Sequence, residues 1–195
     1  MNGGVKLRKY EPRDRAAVRQ ICCDTADCGG PVENIFPDRE LIADLVTRYY
    51  TDFDPSATWV AEADGKVVGY LTGCLDTARS QRVTVWRIAP PAILTAIGRG
   101  VLFHRQTWQF FAKLRPFRRA DLREYPAHIH VNVAPGFRGG AIGRELLALF
   151  FAHAGKVGVH ANVRTDNARG RNFFEQTGFV VLNAGASTVV YGKKL

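Results

Sequence analysis

The segment that most restricts the fold begins with a β-rich run, Ala127 to Val133. It continues through a glycine-rich turn, Gly136-Phe137-Arg138-Gly139-Gly140-Ala141-Ile142-Gly143, into helical periodicity at Leu146, Leu147, Phe150 and Phe151. Strand, turn and helix in that order belong to an α/β architecture. Glycines let backbone approach a ligand, and the first N–H groups of a helix have no intrahelical partner, so the turn predicts an anion site whose natural guest is phosphate. Spacing narrows the ligand. Glycines at 136, 139, 140 and 143 contain no Gly-x-Gly pair, which removes the dinucleotide fingerprint, and no Gly-Lys-Ser/Thr follows for a nucleotide P-loop.

Elsewhere the periodicities predict an opening strand at Val5 and Leu7, and a helix carrying Ala17, Val18, Ile21 and Cys22. A second helix after Asp38 is written by Leu41, Ile42, Leu45, Val46 and Tyr49. Thr58 to Ala63 and Lys66 to Cys74 flank Asp64-Gly65, a strong hairpin signal. From Asp76 to about Arg123 a helical insertion is expected, basic and aromatic. A strand of Val157, Val159, Ala161 and Val163 follows Gly155, which stands where a helix C-cap glycine belongs. Next come a helix from about Ala168 to Thr177 and a hairpin of Phe179 to Leu182 and Ser187 to Tyr191 about Asn183-Ala184-Gly185. The expected order is βααββ, insertion, βαβαββ.

Composition sets outer bounds. The 195 residues, 46% hydrophobic and 23% charged, describe an ordinary globule with enough chain to bury a core. No run approaches a membrane span, and no apolar signal core opens the chain, so a cytoplasmic location is expected. A net charge of +9 favours anionic ligands or non-specific nucleic-acid contact without choosing between them. Cys22, Cys23, Cys28 and Cys74 are too few and too bunched for a disulfide framework, and they lack zinc-ligand spacing, so buried thiols and no metal are expected.

A second motif, Asp166-Asn167-Ala168-Arg169-Gly170-Arg171-Asn172-Phe173-Phe174-Glu175-Gln176-Thr177-Gly178-Phe179, follows the next strand. Here the chain resembles the GNAT superfamily of acetyl-CoA-dependent N-acetyltransferases. Arg138-Gly139-Gly140-Ala141-Ile142-Gly143 matches that family's pyrophosphate loop, with alanine for the middle glycine. Asn167, Gly170, Phe173-Phe174 and Gly178-Phe179 match its later segment. The resemblance runs from Val5 to Tyr191 apart from the insertion. Pro126 to Asn132 and the insertion also look like the acetyltransferase-like domain of bacterial O-GlcNAcases.

The resemblance implies a mixed, splayed central sheet flanked by helices. It also implies one acyl-CoA N-acyltransferase domain over residues 1–195, with 76–124 as the insertion. Acetyl-CoA would be the cosubstrate, without a metal, and a small-molecule or protein amine the acceptor. Backbone at Val131 and Val133 would pair with the pantetheine arm. Amides of Gly139, Gly140, Ala141, Ile142 and Gly143, with Arg138 and Arg144, would hold the pyrophosphate, and Asn167, Phe173 and Phe174 would flank the arm.

Acetyl transfer needs an unprotonated amine, a donor for the oxyanion and a proton for the thiolate. His130, and after it His128, are the base candidates, because imidazole titrates near the working pH; Asn132, on the same strand face, would orient water or acceptor. Phe174 stands where the family commonly places a tyrosine acid. Its phenyl ring leaves three alternatives: unassisted thiolate departure, help from Tyr70, Tyr125 or Tyr191, or lost catalysis.

In the insertion, Arg99, Arg105, Lys113, Arg115, Arg118, Arg119 and Arg123 interleave with Trp108, Phe110, Phe111 and Phe117. An amphipathic helix with buried rings is the first expectation. Nucleic-acid binding ranks below it, and an acceptor lid or a homodimer contact is the alternative within the resemblance. Asp24, Asp27 and Glu33 could attract an ammonium or stand as solvated surface acids. The rival functions are a catalytically inactive acyl-CoA-binding module and, behind it, a nucleic-acid-binding protein.

Overall fold

The computed structural model describes residues 4–113 and 121–195. Arg115, Phe117, Arg118 and Arg119 of the basic, aromatic run lie outside the described residues. Seven strands form one sheet in the order β1-β2-β3-β4-β5-β7-β6. They are β1 (Lys6–Lys9), β2 (Thr58–Ala63), β3 (Lys66–Cys74), β4 (Ala127–Val133), β5 (Val159–Arg164), β6 (Val180–Ala184) and β7 (Thr188–Lys193). Every neighbouring pair is antiparallel except β4 and β5. The β2–β3 hairpin follows from its turn: Asp64 and Gly65 take φ of 48° and 75°, the two positive values of a type I′ turn.

Helix α6 (Ile142–Ala154) is the crossover between the parallel strands and covers one sheet face. Leu146, Leu147 and Phe150 pack there with Trp59, Leu71, Ile129 and Val159. Gly155 ends α6 with φ of 65° and an N–H to the Phe151 carbonyl, the predicted C-cap. On the opposite face α1 (Arg15–Thr25) sets Val18, Ile21 and Cys22 against Val60 and Tyr70. Cys22 and Cys23 are therefore buried thiols. Helix α2 (Arg39–Arg48) starts where expected, because the Asp38 carboxylate accepts the Leu41 N–H.

Between β3 and β4 lie α3 (Thr77–Val83), a wide π turn (Thr84–Ile88), α4 (Ala89–Gly98) and α5 (Arg105–Lys113). Pro90 and Pro91 occupy the first turn of α4, the one stretch of a helix that tolerates proline. The inner side of these helices, Ala92, Ala96 and Val101, packs on Phe36, Leu41 and Ile42. The expected burial of the rings holds in part: Phe110 is half-buried edge-on to Phe36, whereas Trp108 and Phe111 are 61% and 44% exposed, and Trp86 and Phe103 nearby also face solvent. Among the described residues no helix is long and apolar enough to cross a membrane.

Boundaries differ from expectation chiefly at β5 and in the last hairpin. β5 opens at Val159 rather than Val157, whose N–H turns back to the Ala154 carbonyl. In the last hairpin Asn183 and Ala184 remain paired, with Val190 and Val189, because a bulge between Val181 and Asn183 moves the turn to residues 185–187.

Candidate active site

β4 and β5 pair only at Ala127 with Val159 and His128 with His160, then diverge. The Ala127 N–H goes to Gly158 on the β5 side, while the Ala134 N–H goes to Val68 on the β3 side. Alternation along β4 therefore turns the backbone groups of Ile129, Val131 and Val133 into the wedge between the strands. The wedge opens into a cleft of about 1340 Å³. Its walls are β4, the 136–144 turn, α7 (Ala168–Gln176), the α1–α2 connection and α5.

The turn is open. A Cβ added at Gly136, Gly139 or Gly140 would meet nothing within 4 Å. Among the described residues no acceptor takes the N–H groups of residues 138–144, so they are left to a ligand at the start of α6. Arg138, Arg144 and Arg169 converge on the cleft. Arg138 is already engaged: its Nε donates to the Val133 carbonyl at 2.8 Å and Nη2 to the Gly29 carbonyl at 3.1 Å. Burial and nearby Arg169 push its guanidinium pKa down, as expected of a cation facing a cation. At the start of α7, the Asn167 side chain accepts the Gly170 N–H at 2.8 Å, and the Phe173 ring closes on Gly143.

Phe174 borders the cleft but is buried, stacked on Tyr191 and edge-on to Phe179. None of the three tyrosines considered as its substitute lines the cleft. Tyr191 gives its hydroxyl to Glu175 Oε1 at 2.7 Å, and burial with that carboxylate pushes its pKa up to about 12. Tyr70 is fully buried and accepts from Asn132 Nδ2 at 2.7 Å, so the amide predicted to orient a substrate is itself anchored through its nitrogen.

His128, His130 and Asn132 share the face of β4 opposite Ile129, as their spacing requires. Only His130 and Asn132 of the three border the cleft. His128 lies behind His130, ring centroids 4.6 Å apart, with its Nδ1 3.2 Å from the Tyr50 hydroxyl. His160 sits 4.8 Å from His128, its Nδ1 donating to the Tyr125 carbonyl at 2.8 Å. The expectation of imidazoles titrating near neutral pH is corrected. Burial first, then neighbouring rings, push His128 well below the usual histidine value and His130 to about 4. All three are neutral imidazoles at pH 7.

That depression has a stability consequence. Between pH 6.5 and about 4 the unfolded chain binds protons at His130 that the folded chain refuses, so folding stability falls as pH falls through this window. Urea midpoints at about pH 7.5 and about pH 5.2 should show a loss, and His130→Gln should shrink it. An unchanged pH difference in the variant would reject the assignment.

The acids considered as ammonium attractors are all committed. Asp24 and Glu33 pair with Arg39, and Asp27 pairs with Arg164 at 2.8 Å. Sequence reasoning missed Tyr50 beneath His128, the strap formed by Arg138 on Gly29, and Gln106 and Gln109, which line the cleft beside Phe110 of the insertion. No local signal marks them, since each meets the site from a distant part of the chain.

The fold has counterparts among solved structures. The Acetyltransferase (GNAT) family model matches residues 100–179. The crystal structure of SsHAT superposes with a TM-score of 0.78 at 24% identity, covering 98% of each chain. An N-acetyltransferase from Staphylococcus aureus Mu50 gives 0.63 at 14% identity, covering 96% of this chain and 100% of that one. The PaiA N-acetyltransferase from Thermoplasma acidophilum, solved with coenzyme A, gives 0.58 at 13% identity, covering 98% and 99%. With the splayed sheet and the open turn at the head of α6, residues 100–179 are similar to the GNAT acetyltransferase family, and the whole chain shares the fold of these acetyltransferase structures.

Proposed function

We propose that this protein is an N-acetyltransferase, moving acetyl from acetyl-CoA to a primary amine of a small molecule or a protein residue. We read residues 1–195 as one acyltransferase domain with 76–124 inserted over the acceptor side. The observation that carries the proposal is the set of N–H groups over residues 138–144 that have no partner among the described residues, opening onto a wedge where β4 past His128 no longer pairs with β5. Several amides and a helix N-terminus aimed at one point suit a pyrophosphate, whose charge-assisted bonds are the strong ones. The Val131 edge and the Val133 N–H suit the amide groups of a pantetheine arm, paired like a missing strand, while the Val133 carbonyl is held by Arg138.

In the reaction the amine nitrogen attacks the thioester carbon, the C–S bond breaks, and the nitrogen gives up a proton. His130 borders the cleft as a neutral imidazole able to accept a hydrogen bond from the incoming amine. Asn132, held through its nitrogen by Tyr70, keeps its carbonyl available to the same group. Phe174 supplies no proton. A thiol pKa near 8.5 makes the thiolate a tolerable leaving group, so departure proceeds without a tyrosine.

Calorimetric titration with acetyl-CoA should show binding, and no heat at millimolar ligand would end the proposal. One rival retains an observation of its own: with a phenyl at 174 and no tyrosine among the described residues of the cleft wall, the chain could bind acyl-CoA without catalysing transfer. Binding without thiol release across a broad amine panel would favour that reading, and saturable release would remove it.

A further inference from the structure

The acceptor end of the cleft lies between β4, α2, the α1–α2 connection and α5. Its apolar wall is Ile35, Ile42, Val46 and the Phe110 ring, and His130 and Asn132 face that wall from β4. The other polar side chains on that side are uncharged: Thr25, which donates to the Ile21 carbonyl, and the amides of Asn34, Gln106 and Gln109. Gln106 is turned away, its Nε2 donating to the Glu33 carbonyl at 2.8 Å, while Gln109 borders the space. Among the described residues the one carboxylate lining the whole cleft is Asp166. It is bound by Arg164 at 2.5 Å and accepts from the Cys28 thiol at 3.3 Å. Arg138, Arg144, Arg164 and Arg169 line the remainder, and the chain carries +9.

An alkylammonium entering this site would meet a positive field and no unpaired anion, and it would lose its hydration against an apolar wall. An alkylamine with a pKa near 10.4 is almost wholly protonated at neutral pH and would need a strong base to lose that proton. A neutral imidazole of depressed basicity is a poor one. An amine already unprotonated in solution needs neither carboxylate nor base.

We propose that the acceptor is a weakly basic, uncharged amine on an aromatic body, an arylamine, seated against Phe110, Ile35, Ile42 and Val46. This rests on the acetyltransferase reading. The balance closes without an acid–base pair. The arylamine nitrogen forms the N–C bond, the C–S bond breaks, and the proton shed by nitrogen ends on the departing thiolate.

The test uses the full chain with acetyl-CoA and follows thiol release at equal concentrations of 4-methoxyaniline, n-hexylamine and spermidine. The kcat/KM for 4-methoxyaniline should exceed the others by about tenfold or more, and Phe110→Ala should lower it by a similar factor. Hexylamine or spermidine turning over as well as the arylamine would overturn the proposal. Calorimetry with acetyl-CoA on the same preparation separates the two claims, since absent binding there rejects the acetyltransferase reading instead. A fluorescence titration with 1-naphthylamine probes the pocket independently of transfer. Saturable binding weakened by Phe110→Ala supports the proposal, and no saturable binding to the wild-type chain overturns it.

Discussion

Gly140→Val should lower acetyl-CoA affinity by on the order of 100-fold or more while leaving thermal stability nearly unchanged, because each charge-assisted hydrogen bond to an anion is worth about 1.5–3 kcal/mol. Position 140 is the cleanest site in the turn. Its added Cβ meets nothing within 4 Å and its φ lies outside the left-handed range, so valine intrudes only on the space over the amides. Gly139, at φ 85°, would add backbone strain, and Gly143 would push on the Phe173 ring at 3.0 Å. Calorimetry and a melting curve on the same variant decide the matter. Unchanged affinity would show that the N–H groups of residues 138–144 do not hold the ligand.

Gly158→Ala should do the reverse, destabilising the fold before it touches chemistry. An added Cβ would lie 1.9 Å from the Glu124 carbonyl oxygen and 3.0 Å from its carbon, both backbone atoms with little freedom to yield. The Gly158 carbonyl also takes the Ala127 N–H at the apex of the wedge. Overpacking of this kind costs about 3 kcal/mol, which for a chain of this length lowers Tm by roughly 6–12 °C. A melting temperature within about 2 °C of wild type would show that the 121–126 segment moves aside at little cost.

What the sequence discloses is local. The bounds of β4, the Asp64-Gly65 turn, the start of α2 after Asp38 and the Gly155 stop all depend on residues within a few positions of one another. The family likeness is legible for the same reason, because the coenzyme turn and the α7 motif are continuous stretches. Contacts between distant segments are not written in this way. Gly158 is packed beneath Glu124, and Arg138 is occupied by Gly29, 109 residues away. His130 has the expected place but not the expected basicity, since Tyr50, His128 and His160 pack around it only after folding. Asp24, Asp27 and Glu33 look available along the chain and are paired in space.

The three tryptophans divide the molecule into optical compartments. Trp59 is 4% exposed beneath α6, with His153 edge-on at 5.4 Å and the Lys9 ammonium 3.6 Å from its ring centre. Trp86 and Trp108, on the helices between β3 and β4, already face solvent. The wavelength shift of intrinsic emission on denaturation therefore belongs chiefly to Trp59. It reports the main core, and melting of the outer helices requires a separate probe such as far-ultraviolet dichroism.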